Sequence, residues 1–224
     1  MGAVTAAEGP ASSGVRVIAI DGPAGSGKST VARRLAERLG LEYLDTGAMY
    51  RSVAFAAMTR EIDLADAEAI VEVARTSDIR VEDTTVIVDG VDATTQIRGP
   101  EVTRSVSTVA AISGVREVLR VRQRAWVLER GGGVLEGRDI GTAVFPDADL
   151  KVYLSASAVV RAERRAGEVS ALDYETVAAD LAARDAADST RQHDPLVQAP
   201  DAVHLDTTDL SVDEVVDELA SRLR

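Results

Sequence analysis

The stretch from Val17 to Thr30, VIAIDGPAGSGKST, decides how the rest of the sequence is interpreted. Its apolar, β-branched first half runs directly into a glycine-rich loop. That loop matches the pattern G-x-x-x-x-G-K-[ST], with Gly22, Gly27, Lys28 and Ser29 at the fixed positions. Glycines let successive backbone N–H groups converge on an anion, and the helix that follows presents its positive end to the same point. We therefore predict a site for nucleotide phosphates.

Three side chains of this loop have separate predicted roles. Lys28 reaches the β and γ phosphates as a point charge, the Ser29 hydroxyl binds Mg²⁺, and Thr30 closes the first helical turn. The chain has 25 basic residues, of which only two are lysines, and one lysine falls on the position that needs it. The predicted phosphate-binding residues are Gly22, Pro23, Ala24, Gly25, Ser26, Gly27, Lys28, Ser29 and Thr30.

The composition excludes several classes of protein. At 224 residues the chain suits one domain, or a core with insertions. The absence of cysteine excludes disulfides, thiol catalysis and thiolate metal sites, and agrees with a reducing cytoplasm. The apolar runs are shorter than the ~20 residues of a membrane span, and residues 1–14 do not resemble a signal peptide. A net charge of -12 argues against a broad nucleic-acid surface. We expect a cytoplasmic protein that binds neither membrane nor nucleic acid.

Strand and helix patterns alternate along the chain, apart from two regions. Residues 1–14 are small and polar without periodicity, so we predict a disordered tail and a fold that begins at Val15. Residues 63–104 contain short alternating strands, with Asp89-Gly90 between apolar residues as a hairpin signal. This region is predicted to be a small insertion carried on the core. It is either an edge hairpin without a role or a mobile flap over a second substrate.

Charged residues follow two of the predicted strands. Asp45 to Arg51, DTGAMYR, comes after one strand, and Arg138-Asp139 comes after another. The carboxyl ends of parallel strands face one crevice, so these residues are expected beside the phosphate loop. Two later helices also carry charges at helical spacing. On the first, three arginines converge on one side, whereas on the second salt bridging along the helix would explain the pattern. These charges are Arg161, Arg164 and Arg165 on one helix, and Arg184, Asp188 and Arg191 on the next.

A long helix is predicted from Val106 to Arg130, with apolar residues at helical spacing on its buried side. Arg120 and Arg124 are expected on a solvent-facing stripe of this helix. The two histidines, His193 and His204, have no spacing typical of metal ligands, and we expect neither to be catalytic or a ligand.

The number of arginines at strand ends and on facing helices points to a second anion. The planar guanidinium suits phosphate and stays charged, so several arginines could neutralise two phosphates brought together. Transfer of a phosphoryl group between phosphates requires positioning and charge neutralisation more than acid–base chemistry. An acceptor phosphate, with a second pKa of about 6, needs no general base, whereas a hydroxyl acceptor would need a positioned carboxylate.

Several motifs, taken in order, resemble those of bacterial cytidylate kinases, a family of nucleoside monophosphate kinases: GPAGSGKST, LDTGAMYR, VREV with RQRAW, EGRDIGTAVFPDADLKVYL and RDAADSTR. The resemblance runs from about Val15 to the C-terminus. It implies an α/β P-loop fold in which helices flank a five-stranded parallel sheet, with a small monophosphate-binding insertion containing antiparallel strands and a short helical lid. Residues 15–62 and 105–224 would form the core, 63–104 the insertion and 161–184 the lid.

The resemblance also implies an activity and a set of site residues. The activity would be transfer of the γ-phosphoryl group of ATP to CMP or dCMP, with Mg²⁺, by a monomer. The implied acceptor site has Arg51 and Arg138 on the phosphate, Ser107, Arg116 and Asp139 on the cytosine beside Thr46, and Asp188 with Arg184 on the ribose. The residues implied to close over the transferring group are Arg161, Arg165 and Arg191, so that catalysis would involve Lys28, Arg138, Arg161, Arg165 and Arg191.

The sequence departs from the family pattern in two ways, and other classes share parts of it. The segment between Arg165 and Arg184 is shorter than in some relatives, and the RDAAD stretch has alanines where relatives carry more charge.

A kinase of a small hydroxyl compound such as shikimate or gluconate would share the loop but would not explain the arginines. A GTPase would need an Asn-Lys-x-Asp motif, and the chain contains no asparagine.

Overall fold

A computed structural model describes residues 15–168 and 173–223 of the chain. The predicted tail, residues 1–14, lies outside the described residues, as do residues 169–172 of the predicted lid. The strands, numbered in chain order, are β1 (Arg16–Asp21), β2 (Tyr43–Asp45), β3 (Ile79–Val81), β4 (Val86–Val88), β5 (Val91–Asp92), β6 (Gly132–Gly137), β7 (Leu150–Ser155) and β8 (Val203–Asp206). The helices are α1 (Lys28–Leu39), α2 (Thr46–Thr59), α3 (Ala67–Thr76), α4 (Pro100–Ala111), α5 (Ser113–Arg130), α6 (Ala158–Glu168), α7 (Tyr174–Thr190) and α8 (Val212–Ser221).

The core is a five-stranded sheet in the order β2-β6-β1-β7-β8, with every pair parallel. The central strand β1 is buried on both faces: Val17 and Ala19 pack in one apolar cluster, and Ile18 and Ile20 in the other. Helices α1 and α8 cover the second face, and α2, α4 and α5 the first. A strand covered on both sides reads as a continuous apolar run, which is the pattern that β1 has. The predicted five-stranded parallel sheet flanked by helices is confirmed.

The antiparallel strands β3, β4 and β5 form a separate three-stranded sheet. Strands β4 and β5 are joined at Asp89-Gly90, where both residues have positive φ angles of 51° and 81°. Glycine accepts such angles without cost, and aspartate tolerates them better than most residues. The hairpin predicted from the Asp-Gly pair is therefore confirmed. The assignment of residues 63–104 to a substrate-binding insertion stays a prediction.

The predicted long helix from Val106 to Arg130 is wrong. The structure has two helices, α4 and α5, separated by Ile112, whose ψ angle of 113° is extended. Directly after this break α5 packs closely on α3: a Cβ atom added at Gly114 would lie 2.7 Å from Cγ2 of Val71. Helix α4 also begins at Pro100, a residue suited to the first turn of a helix.

Candidate active site

The glycine-rich loop between β1 and α1 is folded so that only glycine fits at its corners. A Cβ atom at Gly22 would lie 2.0 Å from the backbone oxygen of Leu154, and Gly27 has a left-handed φ angle of 86° directly before α1. Lys28 is 5% exposed, and its Nζ donates to the Pro23 carbonyl oxygen at 2.6 Å. Burial first, and the positive charge of Arg138 second, lower the pKa of Lys28 to about 7. Within residues 15–168 and 173–223, Lys28 is thus buried without an ion pair to a carboxylate.

The loop forms one wall of the larger cavity, hereafter the large cavity, which has a volume of about 520 Å³. The loop residues from Ala24 to Thr30 line it on one side. Among its described lining residues, cationic side chains outnumber the two carboxylates, Asp45 and Glu136. The cations come from six different elements or loops of the chain: Lys28, Arg51, Arg98, Arg138, Arg164, Arg165 and Arg184. The large cavity is therefore strongly positive in a chain whose net charge is -12.

Two arginines of the large cavity have buried donor atoms without an acceptor. The Nε atoms of Arg51 and Arg184 find no hydrogen-bond partner within residues 15–168 and 173–223. Burial and the neighbouring charge of Arg138 lower the pKa of Arg184 to about 9. Buried donors normally have partners. An anion in the cavity would supply them.

Glu136, at the end of β6, is a carboxylate of the large cavity that pairs with no arginine in the described part of the chain. Its Oε1 accepts a hydrogen bond from the Tyr43 hydroxyl at 2.6 Å, and Ser29 and Lys28 lie beside it. Burial and the charge of Asp45 raise the pKa of Glu136, and Lys28 and the two hydroxyls offset part of that shift. In the described ranges no group of three or more histidine, cysteine, aspartate or glutamate residues could hold a metal ion.

The second pocket, hereafter the small pocket, has a volume of about 40 Å³, enough for a few water molecules. It lies between α2, α4, α7 and the turn after β6. The structure brings together here most of the residues predicted to bind the acceptor, with Tyr50 and Arg191 beside them: Thr46, Ser107, Arg138, Asp139, Arg184 and Asp188. Arg51 and Arg116, also predicted for the acceptor, are absent from the described lining; Arg51 lines the large cavity.

Charges around the small pocket are paired with each other. Arg116 is 2% exposed and forms ion pairs with Asp139 and, at 3.2 Å, with Asp194. Arg191 lies 3.4 Å from the other oxygen of Asp139. Burial raises the pKa of Asp139, and Arg116 and Arg191 offset part of the shift. The Asp139 carboxylate is therefore held in one orientation by two guanidinium groups. Arg120, expected on a solvent-facing stripe, instead pairs with Asp194 at 2.5 Å and is 28% exposed.

Three further ion pairs lie among the residues that line the two cavities. Arg138 donates from Nε to Asp188 at 2.7 Å. Oδ2 of Asp45 forms ion pairs with the guanidinium groups of Arg51, at 2.7 Å, and Arg98, at 3.7 Å. Burial works to raise the pKa of Asp45, but Arg51, the backbone N–H of Ala48 and Arg98 together hold it below its usual value. These carboxylates hold the arginine side chains in defined positions.

The three residues predicted to close over the transferring group lie in different places. Arg165 lines the large cavity, whereas Arg191 lines the small pocket. Arg161 forms an ion pair with Asp185 of α7 and donates to the Ala24 carbonyl oxygen at 3.1 Å. It therefore connects α6, α7 and the phosphate loop, and the described lining of neither cavity includes it. Arg124, also expected on a solvent-facing stripe, is exposed and donates to the Val144 carbonyl oxygen at 2.8 Å.

Several residues of this region had no predicted role in the site. Asp185 accepts from the Ala24 backbone N–H at 3.3 Å, and Asp21 accepts from the turn after Asp139. Burial raises the pKa of Asp21 to about 6, and the backbone N–H groups of Gly141 and Ile140 offset part of the shift. Their place in the sequence could have indicated a role for Asp21 and Glu136, because both lie within one residue of the carboxyl end of a strand. No comparable signal was available for Arg98 or Asp185.

Comparison with known proteins decides the family. The family model described as cytidylate kinase matches residues 18–224. The chain belongs to the cytidylate kinase family. It is 48% identical over 211 residues to a cytidylate kinase of Desulforamulus reducens, covering 91% of this chain and 95% of that one. It is 46% identical over 215 residues to a cytidylate kinase of Corynebacterium glutamicum, covering 92% and 94%.

The same family also occurs within longer proteins. The chain is 48% identical over 218 residues to a bifunctional pantoate ligase/cytidylate kinase of Parasynechococcus marenigrum, covering 93% of this chain. There it spans only 43% of the relative's length. Membership of the cytidylate kinase family confirms the resemblance seen in the sequence motifs, and the fold is that of a P-loop nucleoside monophosphate kinase.

Proposed function

We propose that the protein transfers the γ-phosphoryl group of ATP to CMP, and to dCMP, giving ADP and CDP or dCDP. One observation carries the proposal: Arg138 and Arg184 line both the large cavity and the small pocket. A donor phosphate chain in the one and an acceptor phosphate at the mouth of the other would meet at these two guanidinium groups. The names of the relatives, cytidylate kinases, support CMP as the acceptor.

The donor binds in the large cavity, with its phosphates on the loop from Gly22 to Thr30. The loop's backbone N–H groups and the start of α1 favour negative charge at this point. Lys28 leaves the Pro23 carbonyl oxygen, 2.6 Å away in the free protein, and binds the β and γ phosphates. The choice of ATP rather than another triphosphate rests on the family, because the loop reads phosphates only.

The acceptor binds between the small pocket and Arg51. Arg51 and Arg138 hold its phosphate, and the unpartnered Nε of Arg51 supports that role. Asp139, fixed by Arg116 and Arg191, reads the cytosine together with Ser107. A carboxylate accepts hydrogen bonds only, which suits the exocyclic amino group of cytosine and not the carbonyl of uracil. Asp188 and Arg184 contact the ribose. A volume of about 40 Å³ is too small for a nucleoside, so the walls of the small pocket separate when CMP binds.

Charge neutralisation provides most of the proposed catalysis. The transferring group spreads negative charge over its oxygens, and positioned guanidinium groups stabilise it. Arg138 and Arg165, which line the large cavity, are placed to do this. Arg161 and Arg191 join them when α6 and α7 close over bound nucleotides. No general base is required, because the acceptor phosphate is largely ionised at pH 7.

The residues beside the loop fit a magnesium ion. Mg²⁺ is usually held by one or two carboxylates together with substrate phosphates, and it keeps several waters. The Ser29 hydroxyl and the Glu136 carboxylate lie side by side in the large cavity and would hold it. Bound there, Mg²⁺ would neutralise charge on the β and γ phosphates. We further expect a cytoplasmic monomer that binds neither nucleic acid nor membrane. In the described part of the chain no helix is long and apolar enough to cross a membrane.

The test is ADP release from ATP with Mg²⁺, measured in parallel with CMP, dCMP, UMP, AMP, shikimate, gluconate and no acceptor. We expect turnover with CMP and dCMP only. Turnover with shikimate or gluconate would mean that the acceptor group is a hydroxyl and not a phosphate, and it would refute the proposal that two phosphates meet in the site. Hydrolysis of ATP at one rate with every acceptor would refute the transferase function altogether.

A further inference from the structure

Asp21 is a buried carboxylate to which the proposed chemistry gives no part. It is the last residue of β1, directly before the glycine-rich loop, and is 5% exposed. The described lining of neither cavity includes it, so it lies behind their walls. A carboxylate costs free energy to bury unless its oxygens accept hydrogen bonds. The partners of Asp21 therefore indicate what it does.

Both oxygens of Asp21 accept from consecutive backbone N–H groups on a different strand–turn unit. Oδ1 accepts from Ile140 N at 2.8 Å and Oδ2 from Gly141 N at 2.7 Å. These residues begin a π-helical turn, Ile140–Val144, which follows Arg138 and Asp139 directly. Hydrogen bonds that backbone N–H groups donate to a charged acceptor are roughly twice as strong as those to a neutral one. The carboxylate thus ties the turn that carries two proposed acceptor ligands to the start of the phosphate loop.

Strand pairing and packing make this connection short and rigid. Asp21 pairs with Gly137 in the parallel register of β1 and β6, so the two loops leave the sheet side by side. A Cβ atom at Gly141 would lie 3.2 Å from the Lys151 side chain and 3.4 Å from Oδ2 of Asp21. Ile140 is 1% exposed. There is little room for the turn to shift or for water to replace the carboxylate.

We propose that Asp21 is a positioning residue for the acceptor site: it holds the Arg138–Asp139 turn at a fixed separation from the phosphate loop. The role rests on the proposed function, because it matters for catalysis only if that turn binds the acceptor phosphate and base. Two reacting phosphates must be held within a narrow geometry, and a misplacement of about 1 Å can cost about 100-fold in rate. Asp21 sets that geometry without touching either substrate.

The test uses Asp21→Asn with Asp149→Asn as the matched control. Asparagine keeps the shape of aspartate but turns one acceptor into a donor, so Ile140 N or Gly141 N faces another donor. Asp149 also accepts from a backbone N–H of β1, at 2.7 Å from Val17 N, but at the opposite end of the strand. For Asp21→Asn we expect the Kd for CMP to rise about tenfold and kcat to fall 10–100-fold. The Kd for a non-hydrolysable ATP analogue should change less than threefold.

The control separates the positioning role from the general effect of replacing a carboxylate that accepts from the backbone. Asp149→Asn keeps an oxygen acceptor for Val17 N, so CMP affinity and kcat should stay within twofold of the unchanged protein. The proposal is overturned if Asp21→Asn keeps CMP affinity and kcat within twofold, or if both variants weaken CMP binding equally. If Asp21→Asn does not fold, Gly141→Ala takes its place, because its added methyl group would crowd the Lys151 side chain at 3.2 Å and so displace the turn that Asp21 holds. It should raise the Kd for CMP and not that for the ATP analogue, and equal effects on both would overturn the proposal.

A second measurement does not depend on turnover. Amide hydrogen exchange of Ile140 and Gly141 should become faster in Asp21→Asn and not in Asp149→Asn. If the unchanged protein phosphorylates no nucleoside monophosphate, the proposed function fails, while faster exchange would still show that Asp21 holds the turn. Unchanged exchange in Asp21→Asn would overturn the positioning role even in an active enzyme.

Discussion

The large cavity and the small pocket differ in how their charges are compensated. In the large cavity, Lys28 donates to a carbonyl oxygen, and the Nε atom of Arg184 is buried without an acceptor in the described part of the chain. Around the small pocket, Arg116 and Arg191 pair with Asp139, and Arg138 pairs with Asp188. The first region has excess positive charge that an anionic ligand would neutralise. In the second, the carboxylates Asp139 and Asp188 are each paired with arginines, so a ligand binds there by exchanging one set of hydrogen bonds for another.

This contrast predicts opposite responses to mutation. Removal of a cation from the large cavity relieves a buried, poorly compensated charge, and the loss should appear in activity. Removal of a cation from the small pocket leaves a buried carboxylate without its partner, so the loss should appear in stability as well.

Lys28→Met should lower kcat for CMP phosphorylation by about 10²–10³-fold, because a preorganised charge on the transferring phosphates is lost. The Tm of the free protein should not fall, since Lys28 is 5% exposed and its pKa is lowered by burial. Steady-state ADP release and thermal unfolding measure the two effects. The matched control is Lys151→Met: Lys151 is also buried but pairs with Asp201 at 2.6 Å, away from both cavities. A loss below tenfold in Lys28→Met would contradict the proposed role.

Arg116→Met should lower the free energy of unfolding by about 3–5 kcal/mol, because Asp139 and Asp194 lose a partner that is 2% exposed. The KM for CMP should rise and that for ATP should change little, since Asp139 is no longer held. Urea unfolding and the two KM values measure this. Arg122→Met on the same helix is the control, because Arg122 donates to the backbone oxygens of Ser77 and Arg75, each at 2.9 Å. A rise in both KM values would argue against a specific effect on the acceptor.

Arg184→Met should have the opposite effect on stability. Its Nε is buried without a partner, and burial lowers its pKa to about 9, so an apolar side chain of similar length removes an unfavourable charge. We expect the Tm of the free protein to stay constant or rise, while kcat/KM for CMP falls about tenfold. Thermal unfolding without nucleotide, followed by CMP titration, checks both. A fall in Tm as large as that of Arg116→Met would remove the distinction between the two cavities.

Features that a short stretch of sequence determines could be predicted from local sequence patterns. The glycine-rich loop and the Asp89-Gly90 hairpin are each specified by neighbouring residues, and the structure has both. The strand-end rule also placed Asp139 correctly beside a pocket. These features depend on backbone conformation and strand direction, which sequence patterns report directly.

Contacts between distant segments could not be predicted in this way. The prediction of one long helix missed the break at Ile112, beside which Gly114 packs on Val71 of another helix. Helical spacing predicted that Arg161 shares a face with Arg164 and Arg165. In the structure Arg161 forms an ion pair with Asp185 of α7. Helical spacing says which side chains share a face, but the partner of that face depends on how helices pack. Ion pairs across the site therefore required the structure.

The affinity for ATP should depend on pH between 7 and 9, because Lys28 must be charged to bind phosphates. In the free protein its pKa is about 7, below the ordinary 10.5, so above pH 7 the neutral amine predominates. Bound phosphates stabilise the ammonium form, so binding takes up a proton. The Kd for ATP should therefore rise with pH above 7, by at most about tenfold per pH unit. Calorimetry in buffers of different ionisation enthalpy should report uptake approaching ~1 proton at pH 8, and Lys151→Met should retain it. An affinity independent of pH over this range would mean that Lys28 is already charged in the empty cavity, and the excess positive charge would then be larger than the free protein's hydrogen bonds suggest.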